Sequence, residues 1–215
     1  MPALQEAIDN YNAAKKEQMP AEVLTTMART TAELKDTGIE NRALGVGDSM
    51  PDFSLPNQHG EMRCFADFYK DSTVVLNVYR GGWCPYCNFE MKALAGTLPE
   101  IEAAGAKLVG MAPETPGHAR DTARRHDIGI EILSDVGNRV SQQLGLVFAL
   151  AEELRPIYLG AGLDIPAHNG DDTFNLPVPA TYIVGPGGVI KAAFVDADYT
   201  RRMEPADILA ILRGH

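Results

Sequence analysis

Cys84 and Cys87, two of the chain's three cysteines, stand three positions apart in Tyr79-Arg80-Gly81-Gly82-Trp83-Cys84-Pro85-Tyr86-Cys87. Two thiols at this spacing can close and reopen a disulfide, one sulfur attacking and the other resolving. The nucleophile is the thiolate, so the chemistry depends on what lowers one cysteine's pKa. The flanking residues supply a means. Asn88–Leu94 reads as a helix, and Pro85 suits its first position: its φ is already helical and its missing N–H had no partner there. Cys84 then falls at the N-cap, beside unpaired amides and the positive end of the helix dipole. In such places a cysteine pKa can fall from about 8.5 to roughly 3.5–7.5. Cys87 lies one turn further in. The pair therefore reads as asymmetric, with Cys84 the attacking thiolate, Cys87 the thiol that closes the disulfide and Trp83 a shield on one side.

Other uses of close cysteines fit less well. A structural zinc site needs four ligands, usually with a second close Cys or His pair. Only Cys64 remains, and His59, His118, His126, His168 and His215 form no close pair. A structural disulfide belongs chiefly to exported chains. A Cys–His hydrolase would need a base in contact with its nucleophile, and no histidine position predicts one. The context of strand, glycine turn, cysteine pair and helix favours redox chemistry.

That context has to be built by the rest of the chain. A length of 215 residues suits one domain with an appendage. Apolar content of 45% and charged content of 22% allow a substantial core. A net charge of −10 argues against non-specific binding to nucleic acid or anionic membranes. The stretch Met1–Glu6 lacks a basic region followed by an apolar run, so no signal peptide is expected. No run approaches the roughly 18 apolar residues of a membrane span. The expected compartment is the cytosol, where a cysteine pair stays reduced and available.

Residues 2–38 read as a helical pair broken at Pro20 and stopped at Gly38, an extension carrying no chemistry of its own. Residues 1–44 are assigned to this extension and 45–215 to the main domain. There, residues 50–61 read as a short strand and turn, and Val74–Tyr79 as a central strand buried on both faces. The helix after the cysteines is expected to run to about Ala104. Lys107–Ala112 follows as a parallel strand, then a helix from Thr115-Pro116 to His126, a strand at Ile130–Leu133 and a helical piece at Arg139–Leu144. One helix around Glu152–Ile157 and a loop over Asp164–Asp172 fill the least regular region. Ala180–Val184 and Val189–Val195 form a hairpin, and Pro205 opens a last helix. A parallel half and an antiparallel half sharing one sheet, covered by helices, satisfies the rules for an α/β domain.

The element order, the Trp83–Cys87 segment and Val178-Pro179-Ala180-Thr181 resemble the thioredoxin-like fold, a central mixed sheet flanked by helices. In that fold a cis-proline lies beside the cysteine pair, and the resemblance gives Pro179 this place. The frame Gly47–Glu61 looks like the opening of peroxiredoxins, the alkyl hydroperoxide reductase and thiol-specific antioxidant group. The likeness covers about residues 45–213 and points to the peroxiredoxin-like branch that carries Cys-x-x-Cys. It departs in three places. Asn77 and Gly81 stand where a proline and a threonine or serine precede the peroxidatic cysteine, and Val178-Pro179 stands where the late hairpin usually carries an arginine. Arg80 could substitute electrostatically, or be solvated or ion-paired.

The resemblance implies a thiol peroxidase. Cys84 would attack a hydroperoxide and Cys87 would close the disulfide, with a thioredoxin-like or glutathione-linked donor reopening it. No metal or organic cofactor is implied; a homodimer is. A thiol–disulfide oxidoreductase acting on protein disulfides and a redox sensor without turnover are the alternatives. Trp83, Pro85, Pro179 and Arg80 are expected to shape the site. Elsewhere Cys64 is expected to be buried, Glu90 solvated, and Asp196–Arg202 a solvated loop whose Arg pair is a place for donor docking. Glu114 is expected to be either a site acid or a helix start, and His168 and Asn169 to lie on a surface loop or line the cleft.

Overall fold

The apolar run Val74–Val78 is buried throughout, which only a strand covered on both faces allows. A computed structural model describes residues 3–214, so Pro2, where the first helical stretch was expected to start, and His215 lie outside the described residues. The chain opens with helices α1 (Leu4–Gln18), α2 (Ala21–Asp36) and α3 (Ile39–Arg42). Strands β1 (Ser54–Pro56) and β2 (Met62–Cys64) and helix α4 (Ala66–Tyr69) lead into β3 (Thr73–Val78). Then come α5 (Pro85–Gly96), α6 (Leu98–Ala103), β4 (Ala106–Ala112), α7 (Pro116–His126), β5 (Glu131–Ser134) and α8 (Arg139–Gln143). The last part holds β6 (Val147–Ala149), α9 (Leu154–Gly160), α10 (Ile165–Asn169), β7 (Asn175–Pro177), β8 (Ala180–Val184), β9 (Ile190–Val195) and α11 (Pro205–Leu212).

The main sheet has the order β5-β4-β3-β8-β9. β4 runs parallel to β3 and β5, while β8 is antiparallel to β3 and β9. Successive side chains of β3 point to opposite faces. Val75 enters a core with Cys84, Cys87, Met91 and Ile183, and Val74, Leu76 and Val78 enter another with Phe65, Val109 and Tyr182. The thioredoxin-like fold implied by the resemblance is thus present, with the cysteine turn at the carboxyl end of the central strand.

Two element boundaries and one expected peptide conformation differ from the sequence reading. The helix expected to reach Ala104 breaks at Thr97, because Pro99 has no N–H to continue the ladder into α6. The expected loop at Asp164–Asp172 contains α10, with the Asp164 side chain accepting from the Ala167 amide. Pro179 is not cis, since no cis peptide bond occurs among the described residues. The Val178 amide donates to the Leu146 carbonyl at 2.8 Å, which ties the chain into the β6–β7 ribbon and carries it extended into β8.

The first helices are fastened to the main domain. Leu4 and Ile8 are buried in the same core as Cys84 and Cys87. The carboxylate of Glu204 accepts from the amides of Leu4 at 3.1 Å and Gln5 at 2.6 Å, capping the start of α1 from the far end of the chain. Tyr11 meets Tyr86 and Phe89 of α5 edge-on, with ring centroids at 5.3 and 5.5 Å. Replacing Glu204 with alanine is expected to lower stability by about 1 kcal/mol, as loss of an N-cap does. It should also speed tryptic cleavage at Lys15 and Lys16; urea unfolding and timed proteolysis read the two effects.

Candidate active site

The turn that carries the cysteines is closed by two glycines. Gly81 has φ +143°, and a Cβ there would lie 2.4 Å from Trp83 Nε1. A Cβ on Gly82 would lie 1.9 Å from Thr122 Oγ1. Only hydrogen in both places lets Trp83 fold back over the turn and α7 press against it. The Cys84 amide donates to the Gly81 carbonyl at 3.0 Å, and Asn88 Nδ2 donates to the Gly82 carbonyl at 2.8 Å. Cys84 is the N-cap of α5 and Pro85 its first residue, as their types predicted.

Both thiols are free and buried, Cys84 being 1% exposed and Cys87 0%. Burial raises the Cys84 thiol, but the hydrogen bond from the Cys87 thiol and the charges of Arg80 and Arg202 outweigh it, and its pKa ends below the ordinary range. Burial and the neighbouring Cys84 push Cys87 well above that range. The asymmetry expected from the sequence is therefore present, with a different main cause. The Cys87 backbone amide at the start of the helix adds only the smallest of the pulls on the Cys84 sulfur. The partner thiol and two guanidiniums supply the larger pull.

Those guanidiniums were not legible as buried groups. Arg80, expected to be solvated or ion-paired, is 2% exposed and has no carboxylate partner among the described residues. Its guanidinium lies 4.4 Å from the Tyr199 ring centroid, 4.9 Å from Trp83 and 5.8 Å from Tyr158, and donates to Tyr158 Oη at 3.0 Å. Arg202, placed by its sequence in a solvated loop, is buried. Its Nε donates to Glu90 Oε2 at 2.6 Å and its Nη2 to Cys87 Sγ at 3.5 Å. Nη1 donates to the carbonyls of Tyr199 and Arg201. Glu90, expected to be solvated, is 1% exposed, and burial raises its pKa to about 7 against the opposing charge of Arg202. The hairpin therefore does send an arginine to the cysteines, from the segment after β9 rather than from its start.

Cys84 lines a cavity of about 260 Å³; Cys87 does not. Arg80, Trp83, Pro85 and Tyr86 contribute from the turn, and Tyr158 and Tyr199 from the later chain. Tyr11 and Lys15 of α1 and Met27 of α2 also line it, so the first helices, expected to carry no chemistry, border the Cys84 sulfur. Pro179 follows Val178 at the end of β3, since Ala180 pairs with Val78, but lies outside the cavity lining. Glu114 and His168 also lie outside it. Glu114 is fully buried with His168 Nδ1 at 3.5 Å, and His168 and Asn169 belong to α10. Cys64 is exposed on β2, whose three residues all face solvent, so the expectation of a buried thiol fails. Among the described residues no cluster of three or more His, Cys, Asp or Glu could hold a metal ion. No helix among them is long and apolar enough to cross a membrane.

The family model described as "AhpC/TSA family" matches residues 46–193, more than half of the chain. The chain belongs to the AhpC/TSA family. It is 29% identical over 152 residues to 1-Cys peroxiredoxin A of Oryza sativa subsp. japonica, covering 71% of this chain and 64% of that protein. It is 29% identical over 103 residues to peroxiredoxin Bcp of Escherichia coli (strain K12), covering 48% of this chain and 65% of that protein. The chain thus spans slightly under two thirds of the length of these curated relatives. In fold it is similar to peroxidoxin BcpB from Mycobacterium tuberculosis, with a TM-score of 0.63 at 20% identity, over 80% of this chain and 97% of that one. Peroxiredoxin 6 of Arenicola marina gives 0.64 at 16% identity, over 79% and 72%.

Of the two guanidiniums, Arg80 exerts the larger pull on Cys84. Replacing Arg80 with methionine should raise the Cys84 pKa from about 6; a rise of one unit slows alkylation by iodoacetamide about tenfold at about pH 5, below both pKa values, and only about twofold at pH 7. In the parent chain alkylation should stay fast at neutral pH and be lost only as pH falls through the lowered pKa. In the variant the whole profile moves to higher pH.

Proposed function

We propose that this protein is a thiol peroxidase in which the Cys84 thiolate attacks a hydroperoxide. The observation that carries the reading is that Cys84 alone of the two sulfurs faces the cavity, with Arg80 and the Cys87 thiol beside it to hold its charge. Attack on the terminal peroxide oxygen breaks the O–O bond, leaves Cys84 as a sulfenic acid and releases the alcohol after proton uptake. The Cys87 sulfur then attacks the sulfenic sulfur, expelling water and forming the Cys84–Cys87 disulfide. Arg202 contacts Cys87 Sγ and stabilises its thiolate as the proton leaves, while Glu90 balances the guanidinium. Two electrons from a thioredoxin-type or glutathione-type thiol donor restore both thiols. Trp83 and Pro85 fix the turn, and Pro179 closes the end of the central strand behind it. Residues 1–44 act as an extension that walls the cavity of the 45–215 domain.

A second order of attack has one observation in its favour. Arg202 touches Cys87 rather than Cys84, an arrangement that would equally serve a Cys87 nucleophile. The variants separate the two orders. Cys84→Ser is expected to abolish peroxide consumption, and Cys87→Ser to leave a sulfenic acid at Cys84 that dimedone traps and mass spectrometry locates. Dimedone label on Cys87 of the Cys84→Ser chain, with none on Cys84 of the Cys87→Ser chain, would reverse the roles. A parent chain that ignores peroxide yet reduces insulin disulfides would instead make it a thiol–disulfide oxidoreductase.

A further inference from the structure

Arg80 borders two cavities, and Cys84 faces only one of them. The other, of about 310 Å³, lies between α2 and residues 148–158. It shares Arg80, Tyr158 and Tyr199 with the Cys84 cavity, but neither Cys84 nor any residue of α1 lines it. Of its lining residues Glu33, Thr37 and Ala149 are exposed, while Leu150, Leu154 and Tyr158 are buried, so it opens at the first three and closes on the others. A solute enters it without approaching the Cys84 sulfur. Its volume stands at the lower end of the ~300–1,000 Å³ range of small-molecule sites.

The lining is chiefly apolar, with Leu34, Phe148, Leu150 and Leu154 along it. The hydroxyls of Thr30, Thr31 and Thr37 donate to carbonyls of α2 and are already satisfied. The one carboxylate in the lining, Glu33, is paired with Arg29 at 2.6 Å. Arg80 is the exception. A guanidinium has five N–H donors. Among the described residues the Arg80 side chain makes one hydrogen bond, from Nη2 to Tyr158 Oη at 3.0 Å, and its buried Nε has no partner. A buried cation short of acceptors favours an anion, and a carboxylate matches the guanidinium fork.

We propose that this second cavity binds an amphipathic monocarboxylate, its carboxylate on the Arg80 guanidinium and its apolar chain along Leu34, Phe148, Leu150 and Leu154, and that occupancy draws the Arg80 charge away from Cys84. The bound carboxylate and the Cys84 thiolate compete for one counter-charge. In an occupied chain the sulfur stays protonated over a wider pH range and reacts more slowly. The coupling is reciprocal, so a chain with no charge at position 84 binds the acid more tightly. The site goes beyond the peroxidase reading, and its test uses no peroxide.

Titration calorimetry of the full, reduced chain with octanoate and with octanol at pH 7 reads the site. Octanoate is expected to bind about tenfold more tightly than the alcohol, the worth of a charge-assisted hydrogen bond. Ala149→Trp, at the exposed mouth, should abolish octanoate binding and leave alkylation of the ligand-free chain unchanged. Thr37→Trp, also exposed, serves should that change impair folding. Cys84→Ser should tighten octanoate binding. Saturating octanoate should slow alkylation of Cys84 by iodoacetamide about fivefold at pH 6, the effect of a one-unit rise from about 6, and leave it unchanged at pH 9, where the thiol is ionised either way. Equal slowing at both pH values would mean obstruction of the sulfur and overturns the charge coupling. Equal binding of acid and alcohol, binding that survives both tryptophan variants, or no binding of octanoate overturns the site itself.

Discussion

Two guanidiniums kept out of water beside two thiols are the arrangement on which the site depends. Removing an arginine from water costs several kcal/mol even after relaxation. Contact with aromatic faces returns about 0.5–2 kcal/mol each, which offsets part of that for Arg80. The remainder is what gives the Cys84 thiolate its value. Sulfur and guanidinium are each other's counter-charge, so ionising the thiol relieves the buried cation. Arg202 differs in having Glu90 as its partner, and it serves Cys87. Both guanidiniums act on both sulfurs, and the cysteines end unequal because burial and the neighbouring Cys84 hold Cys87 protonated while the Cys87 thiol donates to the Cys84 sulfur.

The cage that holds Arg80 is assembled from distant parts of the chain. Trp83 comes from the turn itself, Tyr158 from α9 and Tyr199 from the segment after β9. Tyr199 also meets Tyr86 edge-on at 5.4 Å, and Tyr86 donates to Asn12 of α1 at 2.7 Å. The aromatic cluster therefore joins the reactive turn to the helices that precede the domain. Glu204, two residues beyond Arg202, caps α1 and fastens the same helices from the other side. The contacts that fasten the first helices thus adjoin those that line the site.

Much of the architecture was legible because it follows from local chemistry. The buried run at β3, the proline at the start of α5 and the glycines of the turn each constrain the backbone within a few residues. The paired helices at the N-terminus were visible in their apolar spacing. The boundaries that differ, at Thr97 and in α10, are set by Pro99 and by the Asp164 cap. Cys64 lies exposed on β2, because a cysteine's usual preference for burial does not decide which strand lies at an edge.

What the sequence decided by itself is the cysteine pair and the scaffold that presents it. Cys84 at the N-cap, Cys87 one turn inside and a strand leading into them are all near neighbours, so their geometry is set by backbone rules alone. What only the tertiary structure decided is the electrostatics. Arg202 reaches Cys87 across 115 positions, and Glu90 meets Arg202 across 112. Whether a charged side chain is solvated or buried depends on which surfaces close over it. That is a property of the packed layers, and no spacing along the chain encodes it.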